Sequence, residues 1–209
     1  MPTVYLAGEL FNARQLLGNV ALAREIGRAS SERFQCVLPQ DLPQPAADPR
    51  AIRDADLLAL LACDAAVFQY DGLELDSGTV VEYLVAKFAD IPSVLLRTDF
   101  RHAGDQKEGD PWNLMNSFYP RTATVWIHSL QLYQEATGDG LAAAAECLVR
   151  ETAKQVCAAL EKVLAIPPVL PRPIGTAVYE WLAKMPGNLP GGPEATARLY
   201  FEKVAKGLL

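Results

Sequence analysis

A chain of 209 residues is long enough to bury a substantial core, and its length favours one domain with room for an appendage. Half of the residues are hydrophobic, yet no apolar run reaches the roughly 18 residues of a membrane span, and Met1 to Gly8 reads as a strand start without the basic flank and cleavage site of a secretion signal. The net charge is −6 and the lysines and arginines are scattered, which leaves no electrostatic footprint for nucleic acid or an anionic membrane, so small molecules are the expected partners and the cytoplasm the expected location.

In chain order, strand-like runs fall at 3–7 (TVYLA), 34–38 (FQCVL), 65–70 (AAVFQY), 93–97 (SVLLR) and 123–127 (ATVWI), with helical patterns at 12–29, 50–62 and 78–89 between them. Strand alternating with helix predicts a doubly wound parallel sheet of five strands, flavodoxin-like or Rossmann-like, with helices on both faces. Ligands in such sheets sit at the carboxyl ends of the strands, near the switch in strand order. The informative stretches are therefore Gly8 to Asn12, Pro39 to Asp41, Asp71 to Glu82 and Thr98 to Asn116. The polar loops 39–50 and 99–112 have the length and composition of substrate lids or walls. A long alanine-rich helix is predicted at about 139–165, IPPVLPRP interrupts it, and Pro171 to Leu209 reads as two more helices around MPGNLPGGP. The expected division is a catalytic domain over 1–166 and a helical extension over 167–209, packed on it or at an oligomer interface.

Cys36, Cys63, Cys147 and Cys157 form no CxxC pair, and the expected reading is buried free thiols. With two histidines in the chain, His102 and His128, no metal site is expected, and no cofactor.

The stretch DGLELDSGTVVEYLVAKF, Asp71 to Phe88, runs from an acidic turn into an apolar helical pattern that carries a glutamate, Glu82, in its early turns. Asp76 and Ser77 are good helix N-caps, so the Glu82 side chain leans back toward the mouth of the sheet. Gly78 and Thr79, at i−4 and i−3, leave room above it for a ligand. Val81, Leu84, Val85 and Phe88 are expected to supply the core face. The positive end of the helix dipole favours an ionised acid here, which suits a carboxylate nucleophile. Composition alone equally allows a surface glutamate that supports the helix start.

VYLAGELFNARQ at the first strand, DADLLALLACDAAVF leading into the third, DSGTVVE at the helix start and WNLMN at 112–116 occur in this order, and together they resemble the nucleoside 2-deoxyribosyltransferase family over about residues 3–130. The resemblance implies that Glu82 is the nucleophile on C1′ of the sugar and that Asp56 handles the proton of the nucleobase. It implies further that Asp76 positions the sugar hydroxyls and that Tyr5 orients the nucleophile. Gly8 and Gly78 belong to the substrate-binding turns, Gln40 in LPQD stands where the family places a base-binding glutamine, and Asn113 and Met115 match residues that reach the sugar of a neighbouring subunit. A dimer-based homo-oligomer with shared sites follows, tetramers and hexamers included.

Cleaving an N-glycosidic bond passes through an oxocarbenium-like state, and a nucleobase leaves poorly unless protonated, so one carboxylate near C1′ and one acid near the base meet both demands. The implied activity is exchange of nucleobases on 2′-deoxyribonucleosides by a retaining double displacement. The alternative is an N-glycoside hydrolase of nucleosides or nucleoside monophosphates, in which water takes the sugar. A nucleoside-sensing module would have to lack Glu82 or Asp56, and both are present. Glu9 adds an acid after the first strand that this scheme does not use, and the chain runs past the point where short family members end, so Leu209 is not assigned their terminal carboxylate's role.

Overall fold

The computed structural model describes residues 1–43 and 48–209. Five strands, β1 (Thr3–Ala7), β2 (Gln35–Val37), β3 (Ala65–Gln69), β4 (Ser93–Arg97) and β5 (Thr122–Trp126), form one all-parallel sheet in the order β2-β1-β3-β4-β5. The order reverses between β1 and β3. This is the doubly wound fold expected from the alternating pattern, because parallel neighbours need crossover helices that bury both faces. The three inner strands, β1, β3 and β4, accordingly expose almost nothing, whereas the edge strands β2 and β5 are partly exposed.

Helix α1 (Ala13–Ala29) follows β1, and α2 (Pro49–Ala62) and α3 (Ser77–Phe88) follow β2 and β3. Alternate residues of each strand feed separate cores. Tyr5, Ala66, Phe68 and Leu95 pack with α2 and α3, whereas Val4, Leu6, Val67 and Val94 pack with α1 and the long helix Leu141–Leu164 on the other face. Asn12 begins α1 with a capping box, its side chain accepting from the Arg14 and Gln15 amides while Gln15 reaches back. Pro49 opens α2 behind an Asp48 cap.

The single helix expected at about 139–165 is found over Leu141–Leu164, and a shorter helix that the sequence pattern did not suggest precedes it. This shorter helix, α4 (Ser129–Ala136), capped by His128, leads through a 3-10 turn to Gly140, whose φ of 99° ends that turn before α5 (Leu141–Leu164) starts. The core face expected for α3 is corrected. Thr79, Tyr83, Val85 and Ala86 are its buried residues, Leu84 is half-buried, and Val81 and Phe88 stand 55% and 59% exposed. Of the four free thiols, Cys63 and Cys157 are buried and Cys36 and Cys147 half-buried.

The tail folds as α6 (Arg172–Lys184) and α7 (Gly192–Ala205) and packs on the α2–α3 face. Tyr179, Leu182, Leu189, Tyr200 and Leu209 join the same core as Leu57, Leu60 and Ala86. Polar ties hold it at both ends of the layer. Asp90 accepts from the Val169 and Leu170 amides, Arg121 donates to the Leu208 carbonyl, and the Lys203 ammonium donates to the Cys63 carbonyl. Arg50 and Arg53, in the first turns of α2, donate to the carbonyls of Gly187 and Pro186. No described helix is long and apolar enough to cross a membrane.

Candidate active site

Tyr5 is central in β1 and faces the α2–α3 layer, where its hydroxyl donates to Glu82 Oε1 at 2.7 Å. The bond ties a strand under the switch point to the second turn of α3. Burial is the main reason the Glu82 carboxyl is pushed up to about 7; the Tyr5 hydrogen bond pulls it back, and the charges of Asp56 and Asp76 push it further up. Burial and the neighbouring carboxylate raise the Tyr5 phenol far above its ordinary value, so it stays a proton donor. Asp56, half-buried on α2, acts electrostatically on both Tyr5 and Glu82, and burial raises it to about 6.

Asp76 is the N-cap of α3, as its sequence position suggests. Its Oδ2 accepts from the Thr79 amide at 2.7 Å and the Thr79 hydroxyl at 2.9 Å. Oδ1 has no partner among the described residues and remains available to a ligand hydroxyl. A Cβ at Gly78 would stand 3.1 Å from the Asp76 carboxylate, so glycine keeps the first turn clear of the cap.

The loop that delivers Asp76 is fixed by two residues the sequence reading passed over. Asp71 accepts from the amides of Thr98 and Asp99 and from the Thr98 hydroxyl. Arg97, fully buried, donates to the carbonyls of Tyr70, Gly72 and Arg101. Both stitch the β3–α3 loop to the segment after β4. A charged residue ending an otherwise apolar strand, as in SVLLR, is the signal that could have found Arg97.

Gly8 and Gln40 are drawn to the other face. A Cβ on Gly8 would lie 2.4 Å from Gln69 Nε2, so glycine is what allows that side chain to pass. Gln69 donates to Asn19 Oδ1 at 2.8 Å, Asn19 donates to Gln40 Oε1 at 3.2 Å, and Gln40 Nε2 donates to the Leu16 carbonyl. Both ends of the Gln40 amide are therefore engaged with α1. Glu9, without a role in the sequence reading, is bonded by Gln15 Nε2. Of the loop 39–50, the first part is a 3-10 turn, Pro39–Asp41, and 44–47 lie outside the described residues.

Asn113 caps the 3-10 turn Leu114–Asn116, accepting from the Met115 amide, and Met115 is 68% exposed. Next to them Trp112 is buried against Tyr70, rings 5.2 Å apart, and donates to Ser117. The segment is anchored in its own core at Trp112 and presents Leu114, Met115 and Phe118 outward.

The model of one protein family, Nucleoside 2-deoxyribosyltransferase, matches residues 4–115, more than half of the chain and all of the elements that carry Tyr5, Asp56, Asp76 and Glu82. The chain belongs to the nucleoside 2-deoxyribosyltransferase family. No curated protein sequence matches it significantly. Among solved structures, a conserved protein from Enterococcus faecalis V583 is similar at 25% identity and a TM-score of 0.51, over 70% of this chain and 98% of that one. The 2-deoxyribosyltransferase of the psychrotolerant bacterium Bacillus psychrosaccharolyticus is 21% identical over 47% of this chain and 74% of its own, with a TM-score of 0.41. A 2-desoxiribosyltransferase from Leishmania mexicana is 20% identical over 67% and 99%, with a TM-score of 0.49. The family match ends before α6 and α7, so those two helices lie outside the nucleoside 2-deoxyribosyltransferase pattern.

Proposed function

We propose that this protein exchanges nucleobases on 2′-deoxyribonucleosides by a retaining double displacement through a deoxyribosyl-Glu82 intermediate. The observation that carries the reading is the Tyr5–Glu82 hydrogen bond of 2.7 Å beside Asp56, within a chain of this family. A carboxylate held by one donor keeps its second oxygen for attack on C1′. As the glycosidic bond breaks, Asp56 donates a proton to the departing base and Glu82 forms the ester with inverted C1′. An acceptor base then attacks from the opposite side, Asp56 takes its proton, and the β configuration is restored. Asp56, raised by burial to about 6, can hold and release that proton near neutrality. Asp76, with one oxygen spent on its own helix, offers the other to a sugar hydroxyl. Asn113 and Met115 complete the sugar pocket of an adjacent subunit.

The competing reading keeps Glu82 and lets water resolve the intermediate. Incubation with deoxyinosine, with and without free adenine, separates the two. Deoxyadenosine formed only when adenine is present supports exchange, and equal hypoxanthine release in both mixtures supports hydrolysis. Glu82→Ala is expected to lower exchange at least about a thousandfold, with a normal circular dichroism spectrum. More than about a tenth of wild-type activity in that variant would remove Glu82 from the nucleophile's role. Asp56→Asn should fail chiefly in expelling the base, so donors with activated leaving groups should suffer less than natural ones. Equal losses would make Asp56 a structural residue only.

A further inference from the structure

On the face away from Tyr5 and Glu82, a cleft of about 800 Å³ opens between α1, α5 and the carboxyl ends of β3 and β4. None of Tyr5, Asp56, Asp76 or Glu82 lines it. Its size is that of a small-molecule pocket.

The floor is apolar. Leu22 and Leu96 are buried there and Val149 of α5 half-covers it. Thr152 adds no polarity, because its hydroxyl donates back to the Leu148 carbonyl at 2.7 Å. One wall is Phe100, whose ring stacks on His128 at 5.3 Å and 25° and so offers a fixed plane.

The rim is polar, and its groups divide into spent and unspent. Asp71 is consumed by three donors and Asp99 by Arg101 and the Gly72 amide, while Glu9 gives one oxygen, Oε2, to Gln15. Gln69 is unspent on one side. Its Nε2 is held by Asn19 and the Ala7 carbonyl, while its Oε1 accepts nothing among the described residues. The Asn12 side-chain Nδ2 and the Arg14 guanidinium have no acceptor among the described residues either. A fixed acceptor, free donors, an aromatic plane and an apolar floor are what a flat ring with donors and acceptors on its edge requires. Glu9, Asp71 and Asp99 against Arg14 and Arg101 make the lining net acidic, which opposes a phosphate.

We propose that this α1–α5 cleft is a second binding site, for a neutral heteroaromatic base, free or carried on a sugar, distinct from the site that holds Glu82. Asp71 and Gly72 form part of its wall and begin the loop that ends at Asp76, so an occupant touches the segment that delivers the Glu82 helix. The inference rests on the cleft's own lining and not on the proposed reaction.

Equilibrium dialysis with adenine as the probe tests it, in wild type, in Val149→Trp, which fills the cleft, and in Gln69→Leu, which removes the fixed acceptor. Wild type and Asp56→Asn should bind one equivalent that both cleft variants lose, at least tenfold in affinity, and crystals grown with adenine should hold it against Phe100. Unchanged adenine binding in either folded cleft variant, or no binding to wild type, overturns the proposal. If Val149→Trp does not fold, Gln69→Leu decides alone. The base-exchange assay stands apart: exchange without cleft binding sinks only the second site, and cleft binding without exchange sinks only the proposed reaction.

Discussion

Glu82 is protonated more readily than a free glutamate because its surroundings strip away water, and this links chemistry to stability. With the folded carboxyl raised from 4.5 to about 7, the protonated form is the one the fold favours. That contribution is fully present below 4.5 and is lost as pH rises through 7, so at pH 8 the ionised carboxylate costs about 3 kcal/mol. Glu82→Gln keeps an acceptor for Tyr5 without the charge. Its melting temperature is expected to exceed that of wild type at pH 8 and to match it near pH 4. A gain of equal size at both values would mean that charge burial is not the cause. In the proposed reaction the ionised carboxylate attacks, so kcat/KM should rise as pH approaches 7. Asp56, raised to about 6 and coupled to Glu82, shares that titration, and the limb belongs to the pair.

Among the elements, α6 decides how the tail relates to the sheet. Leu182 is 1% exposed and lies in the core that also holds Leu57 and Tyr83. Leu182→Ala should cost about 2–5 kcal/mol and should do so in a single unfolding transition, with tryptophan fluorescence and circular dichroism coinciding in a urea titration. An early separate transition would mark the tail as an independent unit. The parallel sheet, its helices and the Asp76 cap were legible because each rests on local spacing: apolar runs of strand length, a capping residue, a glycine turn. That Tyr5, Asp56 and Glu82 lie together was legible through the motifs that carry them. The buried face of α3 was not, since Val80, Val81, Tyr83, Leu84, Val85, Ala86 and Phe88 make the helix apolar nearly all round and periodicity has no face to choose. Asn19 and Gln69 escaped notice for the opposite reason: the Gln69 side chain donates to Asn19 Oδ1 across 50 residues of sequence, a pairing that exists only once β1 and β3 are neighbours.

For the whole molecule the outward segment after Trp112 is the telling one. Phe118 is 86% exposed with a φ of 69°, a conformation that bulky residues rarely hold, and Met115 stands beside it. In the proposed shared site, Asn113 of one subunit meets Glu82 of another across a symmetric contact. Mixing Glu82→Ala with Asn113→Ala under conditions of subunit exchange should restore up to about a quarter of wild-type activity, because a mixed dimer carries both defects in one pocket and none in the other. No recovery after proven exchange would mean that each chain builds its pocket alone.

The sheet also divides the molecule into two separately packed cores, with Tyr5 and Phe68 contributing to one and Leu6 and Val67 to the other. For anyone breeding variants of this protein, the partition is a practical gift. Substitutions drawn from the α1–α5 layer and from the α2–α3 layer share few partners, so their effects should add, and two libraries can be screened apart and recombined without re-screening every pair.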